Sequence, residues 1–300
     1  MSGIPGVQVA APTAGPKALR APWLQTLLAS SRFARTWIGL GITAAVVAVA
    51  LLGPVFAPYS PTEFVAPPYE PPSSEAWLGT DNLGRDVLSR FLWGGRSVLG
   101  LSILATVFGL GLGILVGLIS AYTRNWIDDV LMRAMDVLLA FPQIVFVLLL
   151  ISSVGPQLWL IVVTVGLSHA PRVARVTRGA ALEVVERDFV RSAEALGETR
   201  WSILVGELLP NISSPLLVEF GLRLTYSIGL VAAVSFLGFG LQPPAADWGL
   251  MINENRIGLT IQPWPVALPV IAVGLLTVGT NLITDGIARA AIGIGRSSAA

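Results

Sequence analysis

Cysteine is absent from the 300 residues, lysine and histidine occur once each, at Lys17 and His169, and charged side chains make up only 12% of the chain. Without cysteine there are no disulfides, no thiolate nucleophiles and no cysteine-ligated metals, and a single histidine cannot supply an H-E-x-x-H zinc pair. A phosphate-binding loop needs a lysine directly ahead of serine or threonine, placed to reach the β and γ phosphates. Lys17 stands in Gly15-Pro16-Lys17-Ala18 instead, so if ATP is used, another chain hydrolyses it. A formal net charge of +1 carried by scattered arginines offers no clustered basic face for nucleic acid.

Apolar residues fill the space: 54% of the chain is hydrophobic and the mean hydropathy is +0.74. A bilayer core about 30 Å thick needs roughly 20 apolar residues per helix. Trp37 to Ala57 runs 21 residues without a charge and predicts a first transmembrane helix over 37–57. A cleaved signal peptide would have a shorter apolar region and would begin nearer the N-terminus. Further charge-free runs cover Ser97 to Thr123, Val137 to Ala170, Leu224 to Ala246 and Gly258 to Thr284. The second of these breaks into two helices at Val154-Gly155-Pro156-Gln157, the latter ending before Pro171, and the fifth helix begins near Pro215. The expectation is an all-α integral membrane fold of six transmembrane helices.

With the N-terminus inside, 14 of the 19 basic residues are cytoplasmic and four, Arg85, Arg90, Arg96 and Arg256, are outside, with Arg223 near a helix end. That split follows the positive-inside rule and puts both termini in the cytoplasm. Residues 1–36, rich in Ala, Pro, Gly and Ser, read as a flexible cytoplasmic tail. Residues 58–96 read as an external proline-rich segment and an interfacial helix, 97–290 as the core, and 291–300 as a cytoplasmic C-terminal tail.

The longest cytoplasmic segment, about 172–214, carries the most content. Phe189, Ala193 and Leu196 recur at i, i+4 and i+7, which predicts a short helix with one apolar stripe, ended by Gly197 in a left-handed cap. Thr199 then caps a second helix that carries Trp201, Leu204 and Leu208 on one face and stops at Pro210. Ser192, Ala193 and Ala195 are small enough for another surface to approach, and Arg191, Glu194, Glu198 and Arg200 offer charged contacts at the rim. Docking into a partner's groove and a surface helix that only ties two spans together both fit this pattern.

Outside, Leu78 to Val87 places cap-forming residues ahead of Val87, Leu88, Phe91 and Leu92, which reads as an interfacial helix leading into the second span rather than a ligand site. Gly109, Gly113 and Gly117 recur every four residues and predict close helix packing. His169 beside Pro171 reads as a structural or water-facing side chain rather than a proton relay. Glu219 and Arg223, four residues apart, are expected to pair with each other.

Phe189 to Asn211, FVRSAEALGETRWSILVGELLPN, resembles the E-A-A-x-x-x-G…L-P loop of bacterial ABC importer permeases, aligned through Gly197 and Leu209-Pro210. Arg191-Ser192-Ala193 stands at the E-A-A, so the motif's acidic residue is missing there and Glu194 lies three positions on. LGTDNLGRDVLSR (78–90), MDVLLAFP (135–142) and SFLGFGLQPPAADWG (235–249) resemble the second permease of dipeptide, oligopeptide and nickel uptake systems. The resemblance runs from about residue 30 to about 290; Ala288-Arg289 and Ile292-Gly293 depart from the family's acidic, proline-containing ending.

That resemblance implies a type I importer core of five helices preceded by one N-terminal helix. It also implies four kinds of neighbour: a paralogous permease, two ABC ATPase subunits, an external solute-binding protein and the bilayer of a bacterial inner membrane. The loop with Arg191, Ser192, Ala193, Glu194, Ala195, Gly197, Leu209 and Pro210 would be the ATPase-coupling loop of an alternating-access pathway for peptides, with nickel, glutathione or another small solute as the alternative cargo. ATP and Mg would be held by the ATPases, with no cofactor on this chain. An ion-coupled secondary transporter would instead place ionisable groups or broken helices near mid-membrane and show internal repeats. An integral membrane enzyme would need a constellation that lone carboxylates and one histidine do not make.

Overall fold

The computed structural model describes residues 22–298. Twelve helices follow in chain order among them: α1 (Pro22–Ser30), α2 (Ala34–Phe56), α3 (Val87–Thr123), α4 (Trp126–Leu139), α5 (Gln143–Val154), α6 (Leu158–Val185), α7 (Asp188–Ala195), α8 (Arg200–Ser202), α9 (Leu209–Asn211), α10 (Ser213–Phe236), α11 (Trp248–Asn255) and α12 (Trp264–Ser298). A π-helical turn, Ile203–Leu208, joins α8 to α9, and a 3-10 turn, Arg256–Gly258, follows α11. Extended structure among the described residues is limited to two isolated bridges, Phe64 with Arg85 and Thr80 with Asp86.

Helices α2, α3, α10 and α12 are each long and apolar enough to cross a membrane, and α4 with α5 makes a fifth such unit bent by 88°. Taking the bent pair as one span and counting α6 gives the six that were expected, but the third is broken at residues 140–142, inside the run from Val137 to Val154 read as one helix. Helix α6 does not meet the same test of length and apolarity, because Arg172, Arg175 and Arg178 follow its apolar half. Pro171 does not end it: the helix runs through to Val185. It packs against α3 on both sides of the proline, at Gly166 and Ala170 before and Val173 and Ala174 after.

Gly109, Gly113 and Gly117 make those contacts. A Cβ at Gly113 would stand 2.7 Å from the carbonyl of Ala170, one at Gly117 2.6 Å from that of Ala174, and one at Gly109 would strike the carbonyl of Gly166. Contacts advance in the same direction on both helices, so α3 and α6 lie parallel, with only the absence of side chains allowing this approach. Helices α2 and α12 run antiparallel and repeat the device at Gly39 and Gly279.

Several element bounds differ from the sequence expectation. Residues 22–30 of the segment read as a flexible tail form α1, tied by a 2.9 Å hydrogen bond between the Thr26 and Ser214 hydroxyls, and the first span starts at Ala34 rather than Trp37. Residues 1–21 of that tail lie outside the described residues. The interfacial helix and the second span are one helix of 37 residues, capped by the Asp86 carboxylate on the Ser89 amide. Helix α10 stops at Phe236, short of Ala246, where Gly238 at φ +86 turns the chain and its amide bonds the Ser235 carbonyl. The last helix starts at Trp264, not Gly258, and continues through the residues read as a C-terminal tail as far as Ser298.

Candidate functional site

Two regions at opposite ends of the bundle carry its most specific geometry. The first is the loop between α6 and α10. Helix α7 ends in a Schellman pair: the Gly197 amide bonds the Glu194 carbonyl at 3.0 Å and the Glu198 amide bonds that of Ala193 at 3.1 Å. The closure requires the left-handed φ of +81 that Gly197 supplies. Thr199 then caps α8 through its hydroxyl on the Ser202 amide at 3.2 Å, and Ser202 bonds Glu198 at 2.8 Å. Pro210, which has no amide hydrogen, does not end this second helical stretch. The wider π turn over Ile203–Leu208 carries the chain into α9, and helix resumes at Ser213.

The structure reassigns the faces of both helices. Val190 and Ala193 turn inward with Ile203, Leu204 and Leu208, joining Leu118, Ala181 and Ile212 in one core cluster. Phe189, Leu196 and Trp201, placed on the apolar stripes by spacing alone, are 41%, 82% and 59% exposed. The expected stripe thus mixes an inward residue with two outward ones. Each helix is too short, at eight and three residues, for periodicity to tell its two sides apart.

Arg191, Ser192, Glu194, Ala195 and Arg200 lie on the outward surface with the three exposed apolar side chains, and Ala193 lies beneath it. Leu209 is partly buried against the core and Pro210 is exposed on α9. Beside α7, a cavity of about 720 Å³ lined by Glu183, Arg187, Asp188, Phe189, Asn211 and Pro215 separates it from the start of α10. The loop is therefore packed on one side and open on two.

Behind the loop, polar contacts lash helix ends together. The Arg178 guanidinium of α6 donates to both Asp128 oxygens of α4 at 2.8 and 2.6 Å, and the Ser120 hydroxyl of α3 also meets Asp128. Arg124 bonds Glu186 at 3.0 Å where α6 ends.

At the other end, residues 58–86 fold back over the bundle as a cap. Asp81 accepts from the Arg85 guanidinium at 2.7 Å, and Glu254 of α11 accepts from Arg85 at 3.0 Å and Arg90 at 2.8 Å. The Asn82 amide donates to the Asn255 side chain, and Gln262 donates to the Glu70 carbonyl. Asp247 caps α11 and accepts from the Ser97 hydroxyl at 2.5 Å. Thr80, Asp81, Asp86, Ser89 and Arg90 are buried, so the stretch read as an interfacial helix with its cap is an internal lock. Sequence reasoning missed it because the ties that bury it, from Asn82, Arg85 and Arg90 to Glu254 and Asn255, span more than 150 residues. The available signal was the polar string 78–90 itself, rich in groups that demand partners when buried.

His169 lies buried in the bundle, its ring within 3.0 Å of the Ser227 hydroxyl and 3.2 Å of the Gln143 amide, and Ser227 also meets Thr106 at 2.9 Å. Four helices share this junction. Glu219 and Arg223 pair at 2.9 Å within α10, as their spacing indicated. Among the described residues no three His, Asp or Glu side chains converge on a metal-sized site.

A bundle of apolar helices with a polar-locked cap at one end and an open helix-turn-helix loop at the other is the architecture of a membrane-spanning protein. The family described as "Binding-protein-dependent transport system inner membrane component" matches residues 96–292, and this chain belongs to it. A glutathione transport system permease protein of Pectobacterium atrosepticum is 34% identical over 276 residues, covering 90% of this chain and 91% of that protein. A dipeptide transport system permease protein of Alkalihalophilus pseudofirmus is 30% identical over 267 residues, covering 89% and 88%. A chain of the MetNI methionine ABC transporter, solved in inward-facing conformations, superposes with a TM-score of 0.51 at 20% identity, over 66% of this chain and 96% of that one, and shows the fold of a type I importer permease. The chain is a permease subunit of an ABC importer, and not itself the ATPase.

Proposed function

We propose that this chain pairs with a paralogous permease to form the alternating-access pathway of an importer for short peptides. Two ABC ATPase subunits, which hold ATP and Mg, would drive it, and an external solute-binding protein would deliver the solute. The chain would lie in a bacterial inner membrane with both termini cytoplasmic, as the arginine distribution indicates. In this reading residues 58–86 and α11 form the external cap, and the loop within about 172–214 couples the helices to the ATPases. The relatives named for dipeptide and for glutathione transport support a short peptide as the solute.

One observation carries the coupling role. Phe189, Leu196 and Trp201 stay exposed beside charged Arg191, Glu194 and Arg200, while the opposite face is anchored in the core by Val190, Leu204 and Leu208. Large apolar side chains exposed on an anchored loop and rimmed by charge suit a partner's groove. A push on α7 would pass through that core cluster to α3 and α6, which meet it at Leu118 and Ala181.

Replacing Gly197 with leucine tests this, since a side chain is strained at φ +81 although there is space around it. The variant should insert and assemble normally while ATP hydrolysis no longer drives uptake. Unchanged peptide uptake would remove the coupling role from this loop. Co-purification from native membranes should bring down a second permease and P-loop ATPases; recovery of the chain alone, with uptake insensitive to ATP depletion, would favour an ion-coupled transporter.

A further inference from the structure

We infer that α1 is a membrane-surface helix that seats on anionic phospholipid headgroups of the cytoplasmic leaflet. This rests on the proposed cytoplasmic placement of the N-terminus. Helix α1 docks on the bundle by one side only: Thr26 and Ser30 are buried, with Thr26 bonded to Ser214 at the start of α10. Trp23, Leu24 and Leu28 remain exposed on the rest of its surface. Three exposed apolar side chains on a nine-residue helix are costly in water, and an interfacial position would remove that cost.

Continuity with a span says what covers them. Only residues 31–33 separate α1 from α2, whose lipid-side residues Trp37, Ile38 and Leu40 are exposed from its first turns onward. Hydrogen bonds brace the junction: Ser30 and Ser31 hydroxyls donate to the Leu27 and Leu28 carbonyls, Thr36 donates to the Ser30 carbonyl, and the Trp37 indole donates to that of Ser31 at 2.8 Å. The junction thereby favours a position for α1 at the level where the bilayer core ends, which would put Trp23 and Trp37 at the depth that tryptophan favours.

Charge selects the lipid. Arg32 and Arg35 are exposed at this junction and make no ion pair among the described residues, and the segment 22–36 contains no acidic side chain. Two free guanidiniums at headgroup depth fit lipid phosphates of net negative charge, each bidentate contact being within the geometry of the fork.

The absence of cysteine makes the test direct, because any introduced thiol is unique. A fluorophore is placed on Leu28→Cys or, for a position in water, on Glu198→Cys of the full chain. Each is reconstituted into phosphatidylcholine vesicles with or without phosphatidylglycerol, and quenching by headgroup-nitroxide lipid is read. The Leu28 probe should be strongly quenched and the Glu198 probe weakly, with the Leu28 signal falling in vesicles of phosphatidylcholine alone. Arg32→Gln and Arg35→Gln should each lower the seated-to-free ratio about fivefold in the anionic vesicles. A Leu28 probe quenched no more than the Glu198 probe would overturn the inference. So would quenching that ignores both phosphatidylglycerol and the two arginine substitutions. Peptide uptake is read separately in the assembled pump, so either proposal can fail without the other.

Discussion

Arg90 and Glu254, 164 residues apart in the chain, meet at 2.8 Å inside the cap, where Arg90 is fully buried and also faces Asp81 at 3.3 Å. Two arginines and two carboxylates form a closed set there, with Arg85 shared between Asp81 and Glu254. The set joins the first residues of α3 to α11 and pins the segment that precedes α3. Its value lies in the cost of breaking it, since a lone charge left in a dry interior has no compensation.

Arg90→Ala should therefore destabilise the purified chain by about 3–5 kcal/mol, the scale of an orphaned buried partner. Glu254→Gln, which keeps an acceptor for both guanidiniums, should cost less. Thermal unfolding in detergent, followed by size exclusion, reads the order of the two. Equal and small losses would show the cap to be decorative.

Helix packing gives a matched pair of glycine substitutions. Gly113→Val places a side chain against Val173 and the Ala170 carbonyl and should cost about 1–3 kcal/mol or more through overpacking. Gly111→Ala, in the same helix but with open space around it, should leave stability unchanged. The yield of monodisperse chain distinguishes them.

The loop should separate stability from assembly. Leu208→Ala, in the core under the loop, should lower stability by about 2–5 kcal/mol. Trp201→Ala and Leu196→Ala remove exposed side chains and should leave thermal unfolding unchanged while weakening retention of the ATPases on affinity purification. Full retention in both exposed variants would place the docking surface elsewhere.

Asp247 supplies a pH test. Burial pushes its carboxyl above the ordinary carboxylate value, against the hydrogen bonds from Ser97 and the Leu250 amide that favour the anion. An acid with a raised folded pKa binds more protons folded than unfolded, so stability is lost as pH climbs from the unfolded value of about 3.9 toward the folded one. Asp247→Asn, which still caps and accepts, should remove that loss. Its unfolding temperature relative to the parent should rise from acidic to neutral pH, and a constant difference would show that the carboxylate does not titrate anomalously.

Residues alone identified the membrane class, the helix-turn-helix closed by Gly197, the glycine track and the Glu219–Arg223 pair, because each depends on local composition or on spacings within a short stretch. Periodicity went wrong where helices are short, putting Phe189 and Leu196 on one face with buried Ala193, and Trp201 on one face with buried Leu204 and Leu208. It also went wrong at Pro171, where packing against α3 carries the helix past a residue that would end it in isolation. The segment 22–36 looked like a tail because its docking partner, Ser214, is nearly two hundred residues away.

Apolar run length determined how much of the chain enters the bilayer, since hydrocarbon tolerates no unsatisfied backbone and thus demands helix wherever the run is long enough. Tertiary structure alone decided that the polar string 78–90 is a buried lock, that α1 is ordered, and which loop side chains face out. Charge pairing, helix docking and the choice of outward face all depend on where distant residues come to lie, and a single chain pattern records only which groups will need a partner, not which partner they find.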